Sequence, residues 1–188
     1  MLTKMADPRF NENEILRAHE MLDRMFKARG GYTKVAHESE TVVRAYGGQR
    51  RKNAIVVFCV DNSKLGVRQL RDVVDVPEQH VIVVFRQSIT CFARKQLDTM
   101  MSESHRDIET IPLARLQFDV TQHALVPRHR AVAAKVLRKL GVAPQMLPAI
   151  RLSDPITRWY HWPKGTVVCV TKSNPEGHQY EEYRVVAT

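Results

Sequence analysis

TQHALVPRH, residues 121–129, opens the stretch on which the fold of this chain depends, and that stretch continues to Thr188. Its apolar residues 124–126 predict a short strand that runs into Pro127. Proline suits the first turn of a helix, because its φ is already near the helical value and its missing N–H has no partner there. We expect that helix to end at Gly141, which can turn left-handed at low steric cost. Its apolar residues recur at helical spacing, at Val132, Val136, Leu137 and Leu140.

The remainder of the stretch alternates short elements with turns. The tripeptide SDP at 153–155 is typical of a helix cap followed by proline, and it predicts a short helix that runs through Trp159. A turn at 164–165 then introduces a β-rich run over 166–171, and the chain ends in a strand over 183–187. This pattern predicts a small, self-contained α/β unit.

These motifs, taken in order, are similar to those of a known family. HALVPRH, LPAI, SDP, RWY, KG, VV and YRVV resemble the C-terminal module of the fifth shared subunit of eukaryotic RNA polymerases, and they also resemble its short archaeal counterpart. The resemblance covers essentially all of 121–188. The chain has Ala149 where the family usually has arginine and His161 where it usually has glycine. It reads Lys-Ser-Asn at 172–174 where the family has Arg-Pro-Ser, within a divergent loop over 172–178.

The resemblance implies a non-catalytic subunit of a multisubunit DNA-dependent RNA polymerase. Its C-terminal module would dock on the largest subunit, beside neighbouring small subunits. The residues expected at the docking surface are His123, Pro127, His129, Pro148, Asp154, Pro155, Arg158, Trp159, Gly165, Tyr183 and Arg184. Archaeal members lack the N-terminal part, so the resemblance implies a eukaryotic or large-DNA-virus origin. The expected location is the nucleus for a cellular protein, or the host cytoplasm or nucleus and the virion for a viral one.

Composition indicates an ordinary globular protein that does not interact with membranes. With 188 residues the chain suffices for one domain or two small ones, and no apolar run approaches the ~20 residues of a membrane span. The N-terminus, MLTKMADPRF, lacks the apolar core of a secretory signal. Cys59, Cys91 and Cys169 form no CxxC pair, which indicates a reduced compartment and no zinc site. We therefore expect an intracellular protein.

Basic charge is concentrated in the C-terminal third. Residues 1–120 hold 19 Lys and Arg against 16 Asp and Glu, whereas residues 121–188 hold 10 against 4. The smaller part therefore carries +6 of the total of +9. Such charge favours an acidic partner, either nucleic acid or an acidic protein surface, although it also serves solubility.

The N-terminal part alternates helices with strands, which predicts a small, mostly parallel sheet and a domain boundary at 119/120. Its first helix has Ile15, Ala18, Leu22, Met25 and Phe26 at helical spacing, Asn11 or Asn13 as its cap, and a Gly-Gly ending. The predicted fold class is thus α/β plus α+β: a mixed-sheet jaw domain over 1–119 and an assembly module over 120–188. The resemblance implies that the jaw is nuclease-like but non-catalytic. Its predicted helices are 13–29, 65–76 and 92–101, and its predicted strands are 41–46, 54–60, 81–85 and 107–111.

Catalysis and cofactor binding are not expected. The strand 54–60 is followed by DNSKLG, which contains no phosphate-binding glycine motif, and Asp61 is not part of a carboxylate cluster of the kind a metal-dependent nuclease needs. We predict no cofactor and no small-molecule ligand. His123 and His129 could share a metal, but local structural hydrogen bonds are favoured. Cys59 is read as a core residue rather than a nucleophile.

Two groups of residues are candidates for nucleic-acid contact. Trp159, Tyr160 and Trp162, beside Arg158 and Lys164, could stack on bases, although part of the cluster must fill the core. The candidates for contact with downstream duplex DNA are Arg50, Arg51, Lys52, Arg86, Arg94 and Lys95. If the sheet is parallel, the first three and the last three lie at opposite strand ends, and we favour the first three. The alternative function is a free-standing nucleic-acid-binding transcription regulator that reuses the module.

Overall fold

The computed structural model describes residues 12–48, 52–59, 64–104, 106–133 and 135–187. The chain forms two compact units and passes from the first to the second between Phe118 and Asp119. Within the described ranges, no helix has both the length and the apolar character that crossing a membrane requires.

The first unit contains three helices and five strands among its described residues. In chain order they are α1 (Glu12–Arg29), β1 (Tyr32–Ser39), β2 (Val42–Gly47), β3 (Ala54–Cys59), α2 (Val67–Val74), β4 (His80–Phe85), α3 (Cys91–Ser104) and β5 (Asp107–Pro112), followed by a 3₁₀ helix at Leu113–Leu116.

The helix α1 follows the predicted pattern. Its five apolar positions are all buried, at 9% exposure or less. It ends where Gly30 adopts a φ of +65°, and the Gly30 N–H donates to the Phe26 carbonyl at 3.1 Å. Asn13 lies inside the helix and is therefore not its cap, while Asn11 lies outside the described residues.

The strands of the first unit form a mixed sheet in the order β1-β2-β3-β4-β5. β3, β4 and β5 are parallel, as predicted, whereas β1 and β2 pair antiparallel with each other and β2 pairs antiparallel with β3. The expectation of a mostly parallel sheet is therefore corrected: two of the four strand pairs are antiparallel, and one of these involves β1, which the sequence did not predict. Residues such as Leu70, Val81 and Leu97 form a core between the sheet and the helices α2 and α3.

The second unit is built on a four-stranded sheet. Its elements are a 3₁₀ helix (Val120–Gln122), β6 (Arg128–Val132), α4 (Lys135–Leu140), a 3₁₀ helix (Pro144–Met146), β7 (Ala149–Arg151), α5 (Pro155–Tyr160), β8 (Val167–Ser173) and β9 (Gln179–Ala187). The strand order is β6-β8-β9-β7, with β7 parallel to β9 and the other pairs antiparallel. Ile150, Val168, Val170 and Val186 form its apolar cluster, with Trp162 packed against it.

The start of the second unit differs from the prediction. Residues 124–126 form a turn rather than a strand, with the Val126 N–H donating to the His123 carbonyl at 2.9 Å. The chain after Pro127 is the strand β6, and the helix begins only at Lys135. β6 is an edge strand, where a preceding proline removes no ladder hydrogen bond. Gly141 ends α4 with a φ of +66°, as predicted.

Candidate functional sites

The helix α5 is positioned by two of the predicted docking residues. Asp154 has an extended backbone, with φ −60° and ψ 136°, and its Oδ1 accepts the Ile156 N–H at 2.8 Å. Pro155 occupies the first helical position, where its missing N–H leaves no bond unmade. The Asp-Pro pair therefore sets the start and direction of α5, as the SDP motif predicted.

Two further docking candidates lie within α5, in different environments. Arg158 is half-buried, and its side chain reaches the surface one turn after the cap. Trp159 is only 5% exposed. A residue so buried supports the helix from inside the fold, so the expectation that Trp159 is presented to a partner is corrected.

The helix ends at His161 in a left-handed conformation. This residue has φ 53° and ψ 49°, and among the described non-glycine residues it is the one with a positive φ. Its N–H donates to the Arg158 carbonyl at 3.2 Å, and the Trp162 N–H donates to the Thr157 carbonyl at 3.1 Å. Glycine adopts this conformation without strain. The family's usual glycine at this position therefore has a direct geometric explanation.

Tyr160 and Trp162 stack on each other rather than lining an open platform. Their ring centroids are 4.6 Å apart with an interplanar angle of 8°, and both side chains are half-buried. Burial, with a smaller contribution from the charge of Asp119, raises the pKa of the Tyr160 hydroxyl. Each ring already covers one face of the other, which leaves less surface for a nucleic-acid base.

A polar cavity of about 480 Å³ lies beside the strand β6. His129, a predicted docking residue, lines it and hydrogen-bonds to the Pro127 carbonyl through Nδ1 at 2.7 Å. Burial lowers the pKa of the His129 imidazole, opposed by this hydrogen bond. The other lining residues are Thr121, Gln122, Arg128, Arg130, Tyr160 and Thr171. Two arginines and several hydroxyl groups make the cavity suited to an acidic or polar side chain.

Ion pairs cover the exposed part of β8 and β9. Glu182 accepts from Lys172 and from the Arg184 guanidinium, the latter at 2.7 and 2.9 Å. Glu181 accepts from Tyr183 and from Arg130, each at 2.8 Å. These contacts lower the pKa of both carboxylates. The largest cause is the hydrogen bond from Tyr183 for Glu181 and the hydrogen bond from Lys172 for Glu182. The docking candidates Tyr183 and Arg184 thus already contact acidic partners within the unit.

The remaining docking candidates have local structural roles. His123 Nδ1 accepts the Leu125 N–H at 3.2 Å, and His129 also makes a local hydrogen bond. Local structural hydrogen bonds were the favoured prediction for these two histidines. The Pro148 carbonyl accepts the Val185 N–H at 3.0 Å, and Gly165, with a φ of +87°, donates to the Val186 carbonyl at 2.9 Å. Pro148 and Gly165 therefore each hydrogen-bond to the strand β9. A docking role for any of these residues stays a prediction.

The candidate DNA contacts that the structure describes lie at opposite strand ends. β3 and β4 are parallel, with Ala54 beside His80 and Cys59 beside Phe85. The basic tripeptide 50–52 precedes β3; Arg50 and Arg51 lie outside the described residues, and Lys52 is exposed. The second group follows β4. In it Arg94 and Lys95 are exposed on α3, but Arg86 is half-buried and pairs with Glu14 at 3.0 Å.

A buried polar network, which the sequence did not reveal, lies at the start of the parallel strands. Arg29 donates two hydrogen bonds to Glu109, at 2.7 and 2.9 Å. His80 lies 2.7 Å from the same carboxylate through Nε2, and the Tyr32 hydroxyl lies 3.3 Å from His80 Nδ1. The network joins α1, β1, β4 and β5. Asp61, the isolated carboxylate considered for catalysis, lies outside the described residues.

Comparison with known proteins gives a consistent result. Residues 118–186 match the family model described as RNA polymerase Rpb5, C-terminal domain. The chain is 30% identical over 141 residues to the DNA-directed RNA polymerases I, II, and III subunit rpabc1 of Dictyostelium discoideum, covering 71% of this chain and 72% of that protein. It is 24% identical over 183 residues to the corresponding subunit of Caenorhabditis briggsae, covering 93% and 85%.

An archaeal protein matches a shorter part of the chain. The DNA-directed RNA polymerase subunit Rpo5 of Sulfurisphaera tokodaii is 34% identical over 77 residues. That match covers 39% of this chain but 92% of the archaeal protein.

Proposed function

The chain belongs to the Rpb5 family of DNA-directed RNA polymerase subunits, and from that premise we propose that it is a non-catalytic assembly subunit of such an enzyme. Its C-terminal unit docks on the largest subunit, next to small subunits, and its N-terminal unit lies near downstream duplex DNA during transcription. The observation that carries this proposal is that the matched residues 118–186 coincide with the second compact unit, 119–188.

A separate docking unit is consistent with the archaeal match. Nearly a whole archaeal subunit corresponds to only 77 residues of this chain, a length close to that of the second unit. An assembly function therefore needs no N-terminal unit. The basic charge of the second unit and the two arginines of its polar cavity favour an acidic surface on the partner.

The N-terminal unit is assigned a DNA-facing role on the basis of its exposed basic residues. Lys52 at one end of the parallel strands, and Arg94 and Lys95 at the other, carry charges suited to phosphate. The two groups cannot face one duplex along a single surface, so at most one of them faces DNA. That this unit has a nuclease-like fold stays a prediction.

The side chains at the start of the parallel strands, rather than the fold, favour a non-catalytic role. Glu109, the buried carboxylate at the start of the parallel strands, is neutralised by the double hydrogen bond from Arg29. For a cellular protein this function places the chain in the nucleus. For a viral one it places the chain in the host cytoplasm or nucleus and in the virion.

Co-purification tests this function. A tagged chain recovered from its source cells should remain with the largest polymerase subunit, in a constant ratio, through a high-salt wash and gel filtration. A chain that separates from polymerase activity, yet still binds nucleic acid, would be the free-standing regulator instead. A matched tag on a chain truncated after residue 118 should recover no polymerase.

A further inference from the structure

Two histidines of the first unit meet at a point that the proposed function does not use. His19 lies on α1 and His37 on β1, and their Nδ1 atoms are 2.8 Å apart. The ring centroids are 4.8 Å apart and the ring planes differ by 20°. The two rings are nearly parallel, and the two Nδ1 atoms are their point of close approach.

The outer nitrogens decide which atoms carry hydrogen. His37 Nε2 lies 3.0 and 3.2 Å from the two carboxylate oxygens of Asp23, and His19 Nε2 lies 3.0 Å from the Glu40 carbonyl. Both partners are acceptors, so both Nε2 atoms must donate. A neutral imidazole has one N–H, which leaves each Nδ1 with a lone pair directed at the other. A cation at this point removes the repulsion.

Surrounding contacts hold the two rings in place. The His19 ring also packs on Phe58 of β3, with centroids 5.1 Å apart. Phe58 is buried, and its N–H donates to the Thr41 carbonyl at 2.9 Å, which ties the turn between β1 and β2 to β3. The pair is therefore preorganised by a helix, a hairpin and a central strand.

We propose that His19 and His37 form a binding site for a divalent transition-metal ion of the Zn²⁺ type, ligated by both Nδ1 atoms. Imidazole nitrogen suits Zn²⁺, Cu²⁺ and Ni²⁺. Histidines that bind metal usually donate their other N–H to a carboxylate or a backbone carbonyl, which Asp23 and Glu40 supply here. With Zn–N bonds of about 2.0–2.1 Å in tetrahedral geometry, the Nδ1 atoms separate by about half an ångström, and each ring turns so that its lone pair points at the ion.

The exposed side of the site determines how the coordination is completed. His37 is exposed, so water, or a residue of another chain, can supply the remaining ligands. The site is thus an open one.

The test uses the full chain in a Cys91→Ser background, because the exposed Cys91 thiol would also bind Zn²⁺. Nitrogen NMR of the histidine rings is recorded during a Zn²⁺ titration at mildly alkaline pH. The Nδ1 resonances of His19 and His37 should move while their Nε2–H groups persist. Mg²⁺, which prefers oxygen ligands, should leave them unchanged.

Variants make the result decisive. His37→Ala should weaken Zn²⁺ affinity more than tenfold, and Asp23→Asn, which keeps both ligands, by about tenfold. His178→Ala, at a well-exposed histidine of the second unit, is the matched control and should have no effect. If Zn²⁺ in excess leaves both rings unchanged, the proposal is wrong. Equal affinities for Asp23→Asn and the unsubstituted background would also contradict it.

Discussion

The guanidinium of Arg29 and the carboxylate of Glu109 form two parallel hydrogen bonds, although 80 residues separate them in the chain. The Arg29 side chain is fully buried and that of Glu109 is 9% exposed. The pair joins the last residue of α1 to the strand β5, so it fixes the helix against the sheet at the start of the parallel strands.

Breaking this pair on one side should strongly destabilise the first unit. Arg29→Met leaves the Glu109 charge buried without its main partner, and we expect a loss of about 3–5 kcal/mol in the free energy of unfolding. Urea denaturation, monitored by a probe in the first unit, measures this loss in the free energy of unfolding. The double variant Arg29→Met with Glu109→Met should recover most of the loss, because no buried charge remains. A loss below about 1 kcal/mol for the single variant would contradict this account.

The cap of α5 should contribute to stability and to assembly. Asp154→Ala removes the acceptor for the Ile156 N–H and should cost about 1 kcal/mol. Thermal melting measures the loss, and recovery of assembled polymerase measures docking, which should weaken as α5 frays. Asp154→Asn retains an acceptor oxygen and should behave nearly as the unsubstituted chain does. If Asp154→Ala changes neither melting temperature nor recovery, the assigned role is wrong.

Local signals in the sequence predicted most of the helices and strands. A cap, a proline or a glycine acts within a few residues, so SDP at 153–155, Gly30 and Gly141 marked real helix boundaries. The apolar runs 54–60 and 81–85 likewise predicted β3 and β4, because strands buried on both faces need continuous apolar residues.

Elements that depend on distant partners were missed. β1 is an edge strand with mostly polar residues, so it shows no alternation, and its pairing with β2 is what defines it. The apolar residues after Pro127 fit a helical spacing, yet residues 128–132 pair with β8. The apolar residues 124–126 predict a strand, yet Leu125 is 86% exposed. The Arg29–Glu109 pair could not be inferred, since nothing in the sequence links the two positions.

Replacing His161 by glycine should stabilise the second unit. A left-handed φ of 53° costs a side-chain-bearing residue about 1 kcal/mol relative to glycine. We therefore expect His161→Gly to raise the melting temperature, as measured by calorimetry. His161→Ala keeps the strained Cβ and serves as the control, with no gain expected. A lower melting temperature for His161→Gly would show that contacts of the imidazole outweigh the strain.

Stability of the second unit should decline in mild acid because of His129. Burial lowers the pKa of this histidine below its usual 6.5, so the unfolded chain takes up a proton at a higher pH than the folded one. The contribution of neutral His129 to stability is complete above about pH 6.5, the usual pKa of histidine. It is lost as the pH falls through the lower pKa of His129 in the folded state. Urea midpoints across this range measure the effect. His129→Asn, which keeps a donor for the Pro127 carbonyl, should flatten the profile.

The two basic groups of the first unit make different predictions for DNA binding. The tripeptide 50–52 adjoins Asn53, whose Oδ1 accepts the Gly47 N–H at 2.9 Å. Asn53, the residue after Lys52, is therefore bonded to the end of β2. Arg94 and Lys95 lie at the other end of the strands, and Arg86 is engaged by Glu14. We predict that the 50–52 group faces the duplex.

A salt series distinguishes the groups. Replacing Arg50, Arg51 and Lys52 by alanine in assembled polymerase should weaken binding to downstream duplex equally for all sequences, because phosphate contacts carry no base readout. The slope of log affinity against log salt should become shallower by about 0.9 for each phosphate that the variant no longer neutralises. The matched variant Arg94→Ala with Lys95→Ala removes charge from the opposite strand ends and should leave the slope unchanged. If only this second variant flattens the slope, DNA lies at the other end of the strands. If neither does, the N-terminal unit does not contact DNA through either group.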